Sequence, residues 1–234
     1  MTDTQPSKTV FDGTGLLKKR NIVSEIRQAI KEMKPCLRRM SVFLVSIFNE
    51  DGMKMIPERC QNARLQLVKI RECYSRLTTI VPENEYHRFR NLWRYQTVRA
   101  AHLVLLIVFL ETGTLCSRKE FAKTIGVHDD QMERFPINNE EYLNGLINMV
   151  SDLVRYAVTC VTYRDYETPV QVANFVIKVS KSLNLLRQKK EGLRKRIRSL
   201  KFDVKNLEEL LYDLSLRNHL KPKHLGAEMM KNQD

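Results

Sequence analysis

Apolar positions recur along most of the chain at intervals of three and four residues, the spacing that gathers them on one face of a helix. Glycine and proline are sparse, and they fall at intervals that mark the ends of long helices. We therefore predict an all-α subunit, with a single helical domain over residues 17–220 between mobile tails at residues 1–16 and 221–234.

Seven helices are predicted, and residues that begin or end helices set their boundaries. Pro35 lies inside the first pattern and predicts a kink, whereas Pro57 suits the first turn of the second helix, where a missing N–H costs nothing. Ser117 and Glu120 have the spacing of a capping box. The predicted helices are residues 17–48, 57–80, 83–112, 117–126, 138–162, 170–186 and 193–217, with loops at 128–138 and 165–169 and a joint at 189–192.

From Leu186 to Leu214 a leucine recurs at every seventh residue, and basic residues crowd the first half of this pattern. The spacing is that of a coiled-coil seam. In a zipper that binds DNA the basic region precedes the heptads, whereas here the two overlap and Gly192 interrupts them. We favour an amphipathic helix whose leucines pack within the fold or against another subunit.

The charge of the chain bears on its partners. It carries 40 Lys and Arg against 27 Asp and Glu, which gives a net charge of +13, and its pI is near 9.6. A protein this basic favours a polyanionic partner by counterion release. Nucleic acid and an anionic membrane surface both satisfy that requirement.

The cysteines and the N-terminus bear on the compartment. The five cysteines lie far apart and never form a Cys-x-x-Cys pair, so neither a disulfide framework nor a zinc site is indicated, and a reducing compartment fits. The first residues are polar where a secretion signal needs an apolar run, so we expect a location in the cytoplasm or nucleus. The apolar stretch at residues 98–110 is too short for a bilayer and contains His102, which predicts a buried core helix.

Residues 86–94 combine aromatic and basic side chains in one helical pattern. One helical face carries the aromatic side chains and another carries the cations, namely Tyr86, Phe89 and Trp93 on the first and His87, Arg90 and Arg94 on the second. A guanidinium gives phosphate two parallel charge-assisted hydrogen bonds and stays ionised. The pattern therefore predicts a phosphate-binding row on an apolar anchor. The alternative is a solvated face above packed aromatic residues.

The sequence has few signs of a catalytic site. It contains no glycine-rich phosphate loop, no His-Glu-x-x-His and no serine-centred elbow. His128, Asp129 and Asp130 are adjacent candidate ligands, but neighbours on a flexible loop rarely converge on one ion. No metal site is therefore predicted, and His102 is expected to be a satisfied core or interface histidine.

Several separate segments resemble the translin family and together span most of the chain. They are residues 59–64, 86–94, 109–112, 141–145, 193–196, 200–205 and 212–215. The resemblance implies a seven-helix subunit of a hollow homo-octamer that binds single-stranded RNA and DNA. It also implies a nuclease complex with translin-associated factor X, which degrades passenger strands in RNA silencing and processes other small RNAs. The two basic motifs of the family correspond here to Arg59 and Arg64, and to Arg88, Arg90 and Arg94.

The chain departs from the family pattern in two of its binding segments. The second basic motif has Arg90 and Leu92 where the family has histidines, so binding is expected to depend less on pH. The proposed GTP segment of the family, Val-Thr-Ala-Gly-Asp, is Val-Thr-Tyr-Arg-Asp at residues 161–165. Because a backbone cradle for phosphate needs glycine, GTP binding is not predicted.

A third departure concerns catalysis. The resemblance places Arg99, His102, Asn148 and Asp152 opposite the acidic residues with which the partner subunit holds magnesium. Only Asp152 is acidic, and magnesium needs several hard oxygen ligands. We expect a nucleic-acid-binding scaffold without cofactor, metal or membrane association, with Mg²⁺-dependent hydrolysis by the partner. The alternatives are an endoribonuclease in its own right, in which Asp152 acts with a carboxylate such as Glu111, and a membrane-surface or purely structural helical protein.

Overall fold

Helices form the regular structure of the chain. The computed structural model describes residues 13–186 and 190–217, with side chains from residue 17 onward, and these ranges contain no strand. The all-α prediction is confirmed. The helices are α1 (Gly13–Val45), α2 (Glu50–Lys54), α3 (Ile56–Leu65), α4 (Leu67–Ile80), α5 (Tyr86–Phe89), α6 (Arg94–Thr112), α7 (Arg118–Thr124), α8 (Asn139–Thr162), α9 (Glu167–Leu185) and α10 (Glu191–Leu216).

The first helices break at places that differ from the prediction. α1 begins at Gly13, before the predicted residue 17, and it contains Pro35. Residues 49–52, predicted as the break after the first helix, include the start of α2, because the Asn49 side chain accepts a hydrogen bond from the Gly52 N–H at 2.8 Å and caps this short helix. The predicted second helix is divided at Gln66 into α3 and α4.

The predicted third helix, residues 83–112, is three elements instead of one. α5 is followed by a 3-10 turn at Arg90–Leu92, and α6 starts only after that turn. The rings of Tyr86 and Trp93 both pack on Phe135, which lies in the loop between α7 and α8. We attribute the break to this packing, because the buried aromatic contacts stabilise the fold more than one further turn of continuous helix would.

α6 and α8 form the centre of the subunit, and α1, α9 and α10 pack around them. The apolar stretch at residues 98–110 is mostly buried within α6, as predicted. Gly145 of α8 permits the close approach of the two central helices. A Cβ atom on Gly145 would lie 2.5 Å from Ala101 Cβ and 2.8 Å from the backbone nitrogen of His102. No helix in the described ranges is long and apolar enough to cross a membrane.

The heptad leucines of α10 are core residues. Leu193, Leu200, Leu207 and Leu214 are buried, and α10 packs on α8 and α9. The prediction of an amphipathic helix that packs within the fold is therefore confirmed. Gly192 belongs to α10 and not to the joint before it. Of the predicted joint at residues 189–192, residue 189 lies outside the described ranges, and so do the predicted tails except residues 13–16, which belong to α1.

Candidate nucleic-acid interface

The segment at residues 86–94 is fixed to the subunit by its aromatic side chains. Tyr86, Phe89 and Trp93 are buried, as the helical spacing predicts. The Trp93 and Phe135 rings stack with their centroids 5.2 Å apart, and the Tyr86 hydroxyl donates to the Pro136 carbonyl at 2.6 Å. The cations of this segment are thus carried on a rigid base.

Arg90 points inward, because the 3-10 turn changes its direction relative to a continuous helix. Its side chain is only 11% exposed, and its Nε donates to Oε1 of the fully buried Glu141 at 2.7 Å. Burial raises the pKa of Glu141, and the positive charge of Arg90 opposes that shift. The structure thus places Arg90 in a buried ion pair, whereas helical spacing predicts it in an exposed row with Arg94.

Glu140 connects the same segment to Lys190, the residue directly before α10. Its carboxylate accepts hydrogen bonds from Arg94 and from Lys190, and Nη2 of Arg90 lies 3.4 Å from its Oε2. Burial acts to raise the pKa of Glu140, but the hydrogen bond from Lys190 and the charge of Arg94 outweigh it, so the pKa lies below its usual value. Arg94 remains 42% exposed. Because a guanidinium has five N–H donors, Arg94 has others left for a phosphate.

Arg88 is the most accessible arginine of the segment, with a side chain that is 51% exposed. Its Nη1 lies 3.5 Å from Oε2 of Glu85, and its guanidinium lies 5.8 Å from the centroid of the Phe89 ring. Contacts of this exposed kind contribute little to stability. Arg88 can therefore bind a phosphate without disturbing the buried ion pairs.

The two predicted basic motifs are not brought together within one subunit. Arg64 donates two hydrogen bonds to Glu111, at 2.8 Å from Nε and 2.5 Å from Nη2. Arg59 is half-buried, and its Nε has no hydrogen-bond partner among the described residues. Glu111 lies near the end of α6 and Arg94 at its start, which separates the motifs by about 25 Å along the helix. A strand that contacts both motifs must span that distance or contact two subunits.

Asp152 is contacted by a histidine and an arginine. His102 Nε2 lies 2.7 Å from its Oδ2, so His102 has a partner, as predicted. Arg155 Nη1 lies 3.8 Å from Oδ1 of the same carboxylate. Glu111 is about 13 Å from His102 along α6 and pairs with Arg64. This combination of groups does not fit magnesium, which prefers several converging oxygen ligands. Within the described ranges, no group of three or more His, Cys, Asp or Glu side chains is placed to hold a metal ion.

Arg196 lies among the basic residues in the first half of α10, and its side chain connects α10 to α8. Its Nη1 and Nη2 donate to the side-chain oxygens of Asn144 and Asn148 on α8, each at 2.5 Å. Burial lowers the pKa of the Arg196 guanidinium. The sequence contains a signal for this role, since Arg196 falls between Leu193 and Leu200 near the buried face of α10.

Residues 161–165 form the end of a helix. Arg164 has a φ of 65°, in the left-handed region that favours glycine. The N–H of Asp165 donates to the Cys160 carbonyl at 2.9 Å and that of Arg164 to the Val161 carbonyl at 3.1 Å, which are the two hydrogen bonds of a Schellman cap. Asp165 Oδ1 then accepts hydrogen bonds at 3.1 Å from two backbone N–H groups at the start of α9. The segment therefore connects α8 to α9.

Comparison with known proteins shows the family of this chain. Residues 20–218 match the translin family. Translin of Gallus gallus is 35% identical over 207 residues, which cover 88% of this chain and 90% of that protein. The translins of Mus musculus and Homo sapiens are each 33% identical over 202 residues, which cover 86% of this chain and 89% of those proteins. The chain therefore belongs to the translin family.

Proposed function

We propose that this chain binds single-stranded RNA and DNA as a subunit of a homo-octameric shell in the cytoplasm and nucleus. With translin-associated factor X it forms an endoribonuclease complex that removes passenger strands in RNA silencing and processes other small RNAs. The observation that carries the binding proposal is the accessible guanidinium of Arg88 on a rigid aromatic base. Family membership and the net charge of +13 support the same proposal.

Within the binding segment, the cations have different roles. Arg88 and Arg94 bind phosphates, because both guanidiniums are accessible. Glu85 contacts Arg88 only at the surface, and Glu140 contacts Arg94 from one side only. Arg90 holds the segment in place through Glu141. Tyr95, which follows Arg94 and is 70% exposed, offers a ring on which a base can stack.

The binding proposal is tested by replacing Arg88 and Arg94 together with Gln. The matched control replaces Arg194 and Arg198, which are two exposed arginines of α10. Fluorescence anisotropy of a labelled single strand, measured over a series of salt concentrations, should show the logarithmic salt slope reduced by about 1.4 in the first variant, since each phosphate contact contributes about 0.7. Wild-type binding by the first variant together with lost binding by the control would place the site on α10 instead.

Exposed apolar side chains on α10 support self-assembly. Phe202, Tyr212 and Leu216 are exposed and fall within about 80° of one another around the helix. The Lys205–Glu209 ion pair lies in the same stripe. Isolated subunits rarely expose such a stripe, because burying it against another copy is favourable.

Light scattering tests the octamer. The expected mass is about 220 kDa, eight times the 27.5 kDa of one chain. Replacing Phe202 and Tyr212 together with Ser should lower the mass, whereas replacing Tyr163, an exposed aromatic residue at the end of α8, should not. A monodisperse wild-type monomer at micromolar concentration would contradict the proposal.

Hydrolysis is assigned to the partner subunit, because the carboxylate of Asp152 faces His102 and Arg155 in this chain. The homo-oligomer and the mixed oligomer are compared on one labelled strand with magnesium, with Asp152→Asn made only in this chain. Asp203→Asn is the control, because Asp203 lies on α10 and its carboxylate accepts a hydrogen bond from Ser151, the residue before Asp152. Robust cleavage is expected only from the mixed oligomer and should survive Asp152→Asn. Strong cleavage by the homo-oligomer that is lost on Asp152→Asn would favour an enzyme in its own right.

A further inference from the structure

A row of cations on α1 takes part in none of the contacts described above. Arg27, Lys31, Lys34 and Arg38 are exposed, and none of them forms a hydrogen bond or ion pair with another residue that the structure describes. At 100° per residue they fall within an arc of about 60°, over about 16 Å of helix. We call these four residues the α1 row. Unpaired cations on one face of a helix produce a positive potential along that face.

The acidic side chains in the described part of α1 lie on another face. Glu32 contacts Arg76 at 2.7 Å and Lys69 at 3.7 Å, both on α4. Glu25 borders a shallow depression beside the same Arg76. Because these negative charges are directed toward α4, they do not neutralise the α1 row.

A groove runs beside the α1 row. Its volume is about 350 Å³, and it is lined by Arg27, Ile30, Lys31, Lys34 and Leu92. Leu92 belongs to the segment at residues 86–94, so the groove links the row to the proposed binding segment. Three of its five lining residues are cations that can neutralise phosphates. Sites for single strands use a positively charged groove of this kind to follow the phosphodiester backbone.

We infer that the α1 row is a second contact surface for the phosphodiester backbone of single-stranded nucleic acid, joined to residues 86–94 through Leu92. The inference rests on the proposed function, because it assigns additional phosphates to the same bound strand. An anionic membrane fits the row less well. A helix that binds a membrane surface needs large exposed apolar side chains beside its cations. Among the side chains of α1 that the structure describes, the exposed large apolar ones are Leu17, Val42 and Val45, which all lie beyond the two ends of the row.

The test replaces Arg27, Lys31 and Lys34 together with Gln in the full chain. The matched control makes the same change at Arg194, Arg198 and Lys201. These three residues have the same spacing on α10, are exposed and form no ion pair within the described ranges.

Both variants are titrated with a labelled oligouridine over a series of KCl concentrations. In the α1 variant the logarithmic salt slope should fall by about 2 and the affinity by about 10- to 100-fold near 0.1 M salt, since each single-strand phosphate contributes about 0.7 to the slope. The α10 control should stay within about twofold of wild type, because its residues do not contact the strand.

The outcomes separate this inference from the proposed function. Failure of the wild-type protein to bind the strand would refute the proposed function itself. Wild-type binding with an unchanged salt slope in the α1 variant would overturn only the α1 inference, as would equal losses in both variants, which would show that net charge alone decides. Unchanged strand binding together with lost binding to phosphatidylserine vesicles would identify the row as a membrane surface.

Photocrosslinking of the wild-type protein provides a second measurement that does not depend on the folding of any variant. A thiouridine-substituted strand should form adducts with peptides from residues 27–38 and from residues 86–94. Adducts confined to residues 86–94 or to α10 would overturn the assignment of the α1 row.

Discussion

Replacing Arg164 with glycine should stabilise the protein although it removes a side chain. Arg164 follows α8 with a φ of 65°. The left-handed conformation costs a residue with a Cβ atom about 1–2 kcal/mol. Glycine adopts it freely but loses about 0.4–1 kcal/mol more than alanine through the entropy of the unfolded chain. The difference predicts a net gain of about 1 kcal/mol for Arg164→Gly.

No described contact of the Arg164 side chain offsets this gain. The side chain is exposed and forms no ion pair with the residues that the structure describes. The cap itself is made by backbone groups, with the Asp165 N–H 2.9 Å from the Cys160 carbonyl, and glycine keeps those hydrogen bonds. Arg164→Ala is the matched control, because it shortens the side chain but retains the Cβ atom.

Urea unfolding followed by circular dichroism measures the effect. Protein concentration is held fixed, because self-association makes apparent stability depend on it. The midpoint of Arg164→Gly should exceed those of the wild type and Arg164→Ala, which should be close to each other, and the melting temperature should rise by about 2–4 °C. If Arg164→Gly were no more stable than Arg164→Ala, the backbone conformation would not be a source of strain.

Three further predictions concern the contacts that hold the site. Gly145→Ala should cost about 1–3 kcal/mol in urea unfolding, because the new Cβ would lie 2.5 Å from an α6 side chain, whereas Gly192→Ala, with no heavy atom within 4 Å, should be neutral or slightly stabilising. Arg90→Ala should cost about 3–5 kcal/mol in the same assay because it leaves a buried carboxylate unpaired, while Arg88→Ala should leave the midpoint unchanged. The pKa of Glu140 is lowered from 4.5, so its contribution to stability is present above that pH and is lost as the pH falls through the folded-state value. Glu140→Gln should therefore flatten the acid limb of the pH–stability curve, and an unchanged limb would contradict the ion-pair argument.

The sequence by itself determined the fold class and several helix ends. Apolar periodicity is a local property, so it identified α8 and α10 closely and predicted that the leucines of α10 pack on one face, within the fold or against another subunit. The structure decided that they lie in the core. Capping is also local. Ser117 and Asn138 begin α7 and α8 as their side chains predict, because a cap involves only the next few residues.

The tertiary structure alone decided where helix patterns break. The pattern across residues 83–112 is continuous in sequence, yet α5 and α6 are separated by a 3-10 turn. The ring of Phe135 packs against Tyr86 and Trp93 from a loop that is mostly polar in sequence. No local pattern contains that contact, because its partners are distant along the chain.

The same limit applies to the roles of the arginines. In sequence, Arg90 and Arg27 are both cations at helical spacing. In the folded chain Arg90 is neutralised by Glu141, 51 residues away, whereas Arg27 has no partner in the described ranges. Sequence composition determined that the subunit is basic. Tertiary packing decided which guanidiniums are already paired with carboxylates and which are available to a phosphate, because ion pairing depends on distances that only the folded chain sets.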